Sequence, residues 1–246
     1  QPLGIVGVMS SWNYPWHLAL MPVVDAFAAG NTVLVKPSEQ APHTSALLAK
    51  LVPQYFTDEE FGVVEGGADI ATAFSALPFD HLLFTGSSAT GRQVAAAAAT
   101  HLTPVTLELG GKSPTIIGKG ADLTRAGERI ALGKMLNAGQ ICLAPDYLLV
   151  PEDQEEGVVA AVQLGVHEMY PTLLDNEDYT AIISDKHFER LKGLVEDARS
   201  KGAEVIEVNP GNEDFSNTNA RKMPLTILKN VTDDMKAMQE EIFGPV

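Results

Sequence analysis

Apolar residues recur in two rhythms along this chain. Over residues 1–109, short runs rich in β-branched and aromatic residues alternate with longer stretches whose apolar positions repeat at helical spacing. The runs predict strands over 4–9, 32–36, 62–65, 81–85 and 105–109. The stretches between them predict helices over 15–29, 44–52, 69–77 and 88–101. Alternation of this kind predicts a parallel sheet with helices on both faces. Strands covered on both sides read as unbroken apolar runs, and Val33-Leu34-Val35 and Leu82-Leu83-Phe84 do.

After Gly110-Gly111 the pattern restarts. Strands are predicted over 115–118, 147–150 and 204–207, with helices over 123–137, 154–169 and 186–200. Asp122 is a good cap for the first of these helices and Gly139 a good stop. Residues 209–219 read as a polar loop. The expected class is α/β, in two units over 1–110 and 111–246.

Composition narrows the function. With 246 residues, 45% hydrophobic and 20% charged, the chain is ordinary globular material of one large domain or two modest ones. A net charge of −15, from 17 basic and 32 acidic residues, argues against a nucleic-acid partner, which needs a basic surface. The same sign argues against an anionic membrane surface. The apolar stretch over 16–30 is broken by His17, Pro22 and Asp25 and is too short to span a bilayer. No basic segment leads into a hydrophobic run, so no secretory leader is expected. A single cysteine, Cys142, excludes a disulfide within the chain and a multi-cysteine zinc site. It suits a reducing compartment, and a cytoplasmic location is expected. The chain opens directly on a strand without Met and ends on Phe243-Gly244-Pro245-Val246, as a piece of a longer polypeptide would.

Ligands of parallel α/β sheets sit beyond the carboxyl ends of the strands. There the sequence places Trp12-Asn13-Tyr14-Pro15, Lys36-Pro37-Ser38-Glu39, Thr85-Gly86-Ser87-Ser88 and Glu108-Leu109-Gly110-Gly111. Gly86-Ser87 follows a strand and opens a helix, so its amides suit a phosphate, although such a turn often serves only as a cap. No G-x-G-x-x-G follows any strand, and there is no Walker lysine. A lone cysteine is ordinarily an inert buried hydrophobe. Cys142, however, follows Asn137-Ala138-Gly139-Gln140-Ile141, a helix end and a glycine-containing loop through which backbone can approach a ligand. His17, His43, His81, His101, His167 and His187 show no ligand spacing, and no metal is expected.

Together with Phe84-Thr85-Gly86-Ser87, Glu108-Leu109-Gly110-Gly111-Lys112-Ser113-Pro114, Gly139-Gln140-Ile141-Cys142 and Glu240-Glu241-Ile242-Phe243-Gly244-Pro245, these segments resemble the successive signatures of the aldehyde dehydrogenase superfamily, in that family's order. Ala144-Pro145-Asp146-Tyr147 is similar to its class 3 branch, which takes fatty and aromatic aldehydes, coniferyl aldehyde among them. The resemblance covers nearly the whole chain but only the middle of the family's architecture.

It implies a Rossmann-like coenzyme domain over 1–110 and a second α/β catalytic domain over 111–246, both in part. It makes Cys142 the nucleophile, Glu108 the general base and Asn13 an oxyanion donor beside the Cys142 amide. It assigns Lys36 and Glu39 to the adenosine ribose, Ser87 to the pyrophosphate and Glu241 to the nicotinamide ribose, with Phe243 packing nearby. Trp12, Gly86, Gly91, Leu109 and Gly110 complete the implied coenzyme set. A carboxylate at Glu39 favours NAD over NADP, although NADP is possible, because it repels a 2′-phosphate. The implied substrate is a small-molecule aldehyde and the implied parent a homo-oligomer. Two alternatives stand beside this reading. One is a coenzyme A-acylating relative, against which Glu108 argues. The other is a nucleotide-binding or structural fragment without turnover.

Overall fold

The computed structural model describes residues 1–217 and 219–246. The chain divides into two compact units, Gln1–Gly110 and Gly111–Val246. In the first, β1 (Ile5–Met9), β2 (Thr32–Lys36), β3 (Phe61–Val63), β4 (His81–Gly86) and β5 (Val105–Leu109) form one sheet in the order β3-β2-β1-β4-β5. Every pairing in it is parallel. The crossovers are α1 (Pro15–Ala28), α2 (Pro42–Leu51), α3 (Ala68–Ser75) and α4 (Ser88–Ala98).

Alternate residues of a strand enter different cores. Val33 and Val35 pack with Val6, Val8, Val23 and Leu48, whereas Leu34 packs with Phe74, Leu82, Phe84 and Val94. A strand points successive side chains to opposite faces, so the two clusters cover the two faces of the sheet. This is why the strands carry no polar alternation. The strand order reverses between β1 and β4, which makes their carboxyl ends the topological switch point.

The second unit is less regular. β6 (Pro114–Ile116) pairs in parallel with β7 (Tyr147–Leu149), and β8 (Glu204–Val208) pairs antiparallel with β9 (Leu225–Lys229). Helices α5 (Leu123–Met135), α6 (Glu155–Met169) and α7 (Asp185–Ser200) surround a core of Ile130, Met135, Val162, Val166, Tyr179, Leu191 and Leu194. α5 and α6 touch backbone to backbone, since a Cβ on Gly127 would lie 2.4 Å from the Ala161 carbonyl carbon. As predicted, Asp122 caps α5, accepting from Arg125 N at 3.2 Å.

Besides shifts of one to two residues at the ends of several elements, and a 3-10 turn over Phe215–Asn217 in the polar loop, the structure departs from expectation as follows. α5 ends at Met135 rather than near residue 137, because Leu136 turns to ψ 126° and Asn137 and Ala138 are left-handed. The 88–101 helix gives way at residue 99 to a 3-10 turn, closed by left-handed Leu102. β9 and the short α8 (Lys236–Gln239) follow the polar loop, where no element was expected. That loop includes Thr218, which lies outside the described residues. Among the described residues no helix is long and apolar enough to cross a membrane.

Candidate active site

All carboxyl ends of a parallel sheet lie on one rim, and this one carries the four polar segments that follow β1, β2, β4 and β5. Trp12 and Asn13 sit half-buried in the turn between β1 and α1. Lys36 ends β2, its side chain buried, and its ammonium lies 2.6 Å from the half-exposed carboxylate of Glu39. Burial raises the Glu39 pKa, but the Lys36 hydrogen bond, the residue's own amide and the Lys36 charge outweigh it and hold the group below its ordinary value.

Ser87 caps α4, accepting from Thr90 N at 3.2 Å. The amides at the start of a helix have no intrahelical partners, and the dipole favours an anion there. The first turn of α4 carries no acidic residue to oppose one. Gly91 lets α4 approach β5, for a Cβ there would lie 2.7 Å from Leu109 Cδ2. Gly86 stands against the Phe84 ring, 2.5 Å from where its Cβ would be. Glu108 pairs in register with Thr85, and Leu109 with Gly86; the Glu108 side chain is exposed. A phosphate-accepting helix start at the switch point, beside a Lys–carboxylate pair at a strand end, fits a dinucleotide without a glycine fingerprint.

In the second unit the cysteine is presented by an unusual backbone. Asn137, Ala138 and Gly139 take φ values of 50°, 52° and 71° in succession. Left-handed non-glycine residues are costly and persist only where surrounding contacts over-determine them. Here Gln140 supplies those contacts. Its buried side chain donates to Asn137 O at 3.0 Å and Ala181 O at 3.2 Å, and accepts from Ile183 N at 3.0 Å. Gly139 is fixed by close approach, since a Cβ would stand 2.3 Å from Gly244 O. The consequence is an exposed Cys142 on a stapled loop, not a buried thiol. The Ser113 hydroxyl donates to its carbonyl at 3.5 Å.

Glu241 lies in the same unit, half-buried, and its carboxylate accepts from Gly111 N at 3.1 Å. Burial raises its pKa. The Gly111 bond opposes that rise, the Asp146 charge adds to it, and Arg190 and Lys134 pull against it. Phe243 follows with φ 50°. The structure therefore links Cys142 and Glu241 through Gly111 and Ser113, and the cysteine loop to the segment after Glu241 through the Gly139–Gly244 contact. Asn13 and Glu108 belong to the first unit.

Sequence reasoning missed three charged groups around Glu241. Lys112 pairs with the buried carboxylate of Asp146. Arg190 reaches the Glu241 and Ile242 carbonyls. Lys134 is buried, and burial pushes its amine down to about 8; the Asp146 and Glu241 charges only partly restore it, and Lys112 opposes them. A signal existed for Lys134, which falls in the buried stripe Gly127, Ile130, Ala131 of α5. Nothing in the sequence of α7 marks Arg190. A cleft of about 720 Å³ is lined by Lys134, Asp146, Val158, Ile227 and Val246, and Cys142 is not among its lining residues.

A doubly wound parallel sheet, followed by a unit that displays one thiol on a constrained loop, places the chain in the α/β class. The aldehyde dehydrogenase family model matches residues 1–246, and the chain belongs to that family. It is 53% identical over 246 residues to a probable coniferyl aldehyde dehydrogenase of Caulobacter vibrioides, covering 100% of this chain and 51% of that protein. It is 44% identical over 247 residues to a dimeric, NADP-preferring aldehyde dehydrogenase of Rattus norvegicus, covering 100% of this chain and 52% of that one. Among solved structures, a Cys-to-Ala variant of aldehyde dehydrogenase C from Pseudomonas syringae, complexed with NAD+ and octanal, superposes with a TM-score of 0.89 at 30% identity. That match covers 100% of this chain and 51% of the other. The chain thus spans about half the length of the relatives it matches.

Proposed function

We propose that the whole protein oxidises an aldehyde to its carboxylic acid with NAD, and less readily NADP, through a covalent intermediate on Cys142. In this reading residues 1–110 form part of the coenzyme-binding domain and residues 111–246 part of the catalytic domain. The observation that carries the reading is the Cys142 loop. Left-handed Asn137 and Ala138, Gly139 and a buried glutamine hold an exposed thiol on a loop in contact with the segment after Glu241, an arrangement that costs stability at the two non-glycine positions.

Cys142 Sγ attacks the aldehyde carbon, with Glu108 taking up the thiol proton. The Asn13 side-chain amide and the Cys142 amide hold the oxyanion that develops on the former carbonyl oxygen. The bound coenzyme supplies the hydride acceptor. Once it has passed the thiol proton to solvent, Glu108 is again a carboxylate and draws a proton from the water that releases the acid from sulfur. Lys36 and Glu39 would hold the adenosine ribose, the first turn of α4 the pyrophosphate, and Glu241 the nicotinamide ribose, with Phe243, Trp12, Leu109 and Gly110 as further coenzyme residues. The likeness to a coniferyl aldehyde dehydrogenase supports an aromatic or fatty aldehyde as substrate. The dimeric rat relative supports a homo-oligomer, and the lone thiol a cytoplasmic setting.

Two substitutions in the whole protein test the roles. Cys142→Ala removes aldehyde oxidation and leaves NADH affinity within about twofold, since the sulfur is a reactant and not a coenzyme contact. Glu108→Gln gives an initial burst of NADH and then a steady rate lower by about 10²-fold, as loss of a general base does. An undiminished steady rate in the Gln variant removes Glu108 from its role. Oxidation surviving in the Ala variant removes the covalent mechanism.

A further inference from the structure

The segment that carries Glu241 has no ladder to hold it. α8 ends at Gln239, Glu240 is extended, and Phe243 is left-handed. Its backbone polar groups are instead met by charged side chains from three other places in the unit. Lys112 Nζ donates to Ala237 O at 2.6 Å and to Glu240 O at 3.1 Å. Asp146, ion-paired with Lys112 through one oxygen, accepts from Ile242 N at 3.1 Å through the other. Arg190, from α7, donates to Glu241 O at 3.2 Å and, through its second terminal nitrogen, to Ile242 O. The peptide groups before and after Glu241 are both pinned, and the side chain itself is tied to Gly111 N.

We infer that Arg190, supported by the Lys112–Asp146 pair, is a positioning residue that aims the Glu241 carboxylate at the nicotinamide ribose and so sets coenzyme affinity. The inference rests on the reading of Glu241 as the ribose ligand. A planar guanidinium fork can hold two successive carbonyls at once, whereas a lysine ammonium in its place is a single point charge that can hold fewer in fixed geometry. Where a binding group must sit within a fraction of an ångström, its supporting shell decides whether it does. Asp146 completes the device by neutralising Lys112 while holding the next amide.

Equilibrium fluorescence titration with NADH, and calorimetric titration with AMP, test this in the whole protein. Arg190→Gln weakens NADH about tenfold and leaves AMP, which lacks the nicotinamide half, within about twofold. Arg190→Lys weakens NADH by less, about threefold, and carries the comparison should the Gln variant fail to fold. Combined with Glu241→Gln, neither substitution weakens NADH further by more than about twofold, because coupled residues are non-additive. Additive losses, equal losses for AMP and NADH, or unchanged NADH affinity in both Arg190 variants overturn the inference. If Arg190→Gln weakens NADH while Glu241→Gln alone does not, the ribose reading of Glu241 has failed and the positioning role falls with it.

Discussion

The two units hold their candidate residues by different physics. In the first, no side chain needs special support to reach the rim. Parallel strands end together, so the ends of β2 and β5 deliver Lys36 and Glu108, and the turns after β1 and β4 deliver Asn13 and Ser87, as a consequence of topology. In the second, Cys142 and Glu241 lie in irregular backbone and are held by left-handed residues, a glycine contact and a charged cluster. Regular structure positions a site through the repeat of the ladder. Irregular structure positions one only through particular contacts, so single substitutions weigh unequally in the two units.

The largest contrast in stability concerns glycine. Gly139→Ala forces a Cβ to 2.3 Å from Gly244 O at a φ of +71°, and costs about 3 kcal/mol. Gly91→Ala in the first unit meets only the far end of the Leu109 side chain, at 2.7 Å. The preference of helices for alanine offsets that contact, leaving a change within about 1 kcal/mol. Urea denaturation of both variants checks the pair. Equal costs break the comparison.

A second contrast lies in buried charge. The Lys134 amine is pushed down to about 8 in the fold, against an ordinary 10.5 in the unfolded chain. Between those pH values the folded state binds fewer protons, so stability rises as pH rises through the window. At pH 7 the fold carries a protonated buried amine, and Lys134→Met raises unfolding free energy by about 2–3 kcal/mol. That advantage shrinks towards pH 10.5. Denaturation at several pH values measures it, and an advantage independent of pH shows that Lys134 titrates normally. The Lys36–Glu39 pair supplies the counterpart, because Glu39 is half-exposed and already paired.

The smallest expected effect concerns coenzyme choice. A carboxylate facing a 2′-phosphate is repelled, but an exposed one swings into water and the Lys36 charge partly cancels it. The whole protein therefore favours NAD over NADP by only about fivefold, and Glu39→Gln narrows the gap. Calorimetric titration with both coenzymes decides it. Equal affinities that the substitution does not change show that Glu39 does not read the ribose.

Most of the first unit was legible. β2 and β5 fall where the apolar runs placed them, and α1 begins at Pro15 as expected, because a proline at the first helical position is pre-set for it. The motifs naming Cys142, Glu108 and Glu241 were legible too, as a resemblance. β9 was not. Its Leu225 and Thr226 are buried while Lys229 reaches Glu155, Glu156 and Glu204, so its place depends on partners far off in sequence.

The amino-acid sequence by itself determined the alternation of strands and helices, the class and the chemical types at each strand end, because period and capping are local properties. Tertiary structure decided where α5 stops, how the Cys142 loop is held and what grips Glu241. Each of these depends on contacts between residues far apart in the chain: Gly139 with Gly244, Gln140 with Ala181 and Ile183, and Arg190 with the Glu241 and Ile242 carbonyls. Neither spacing nor propensity carries such contacts, since they exist only once packing has brought the segments together.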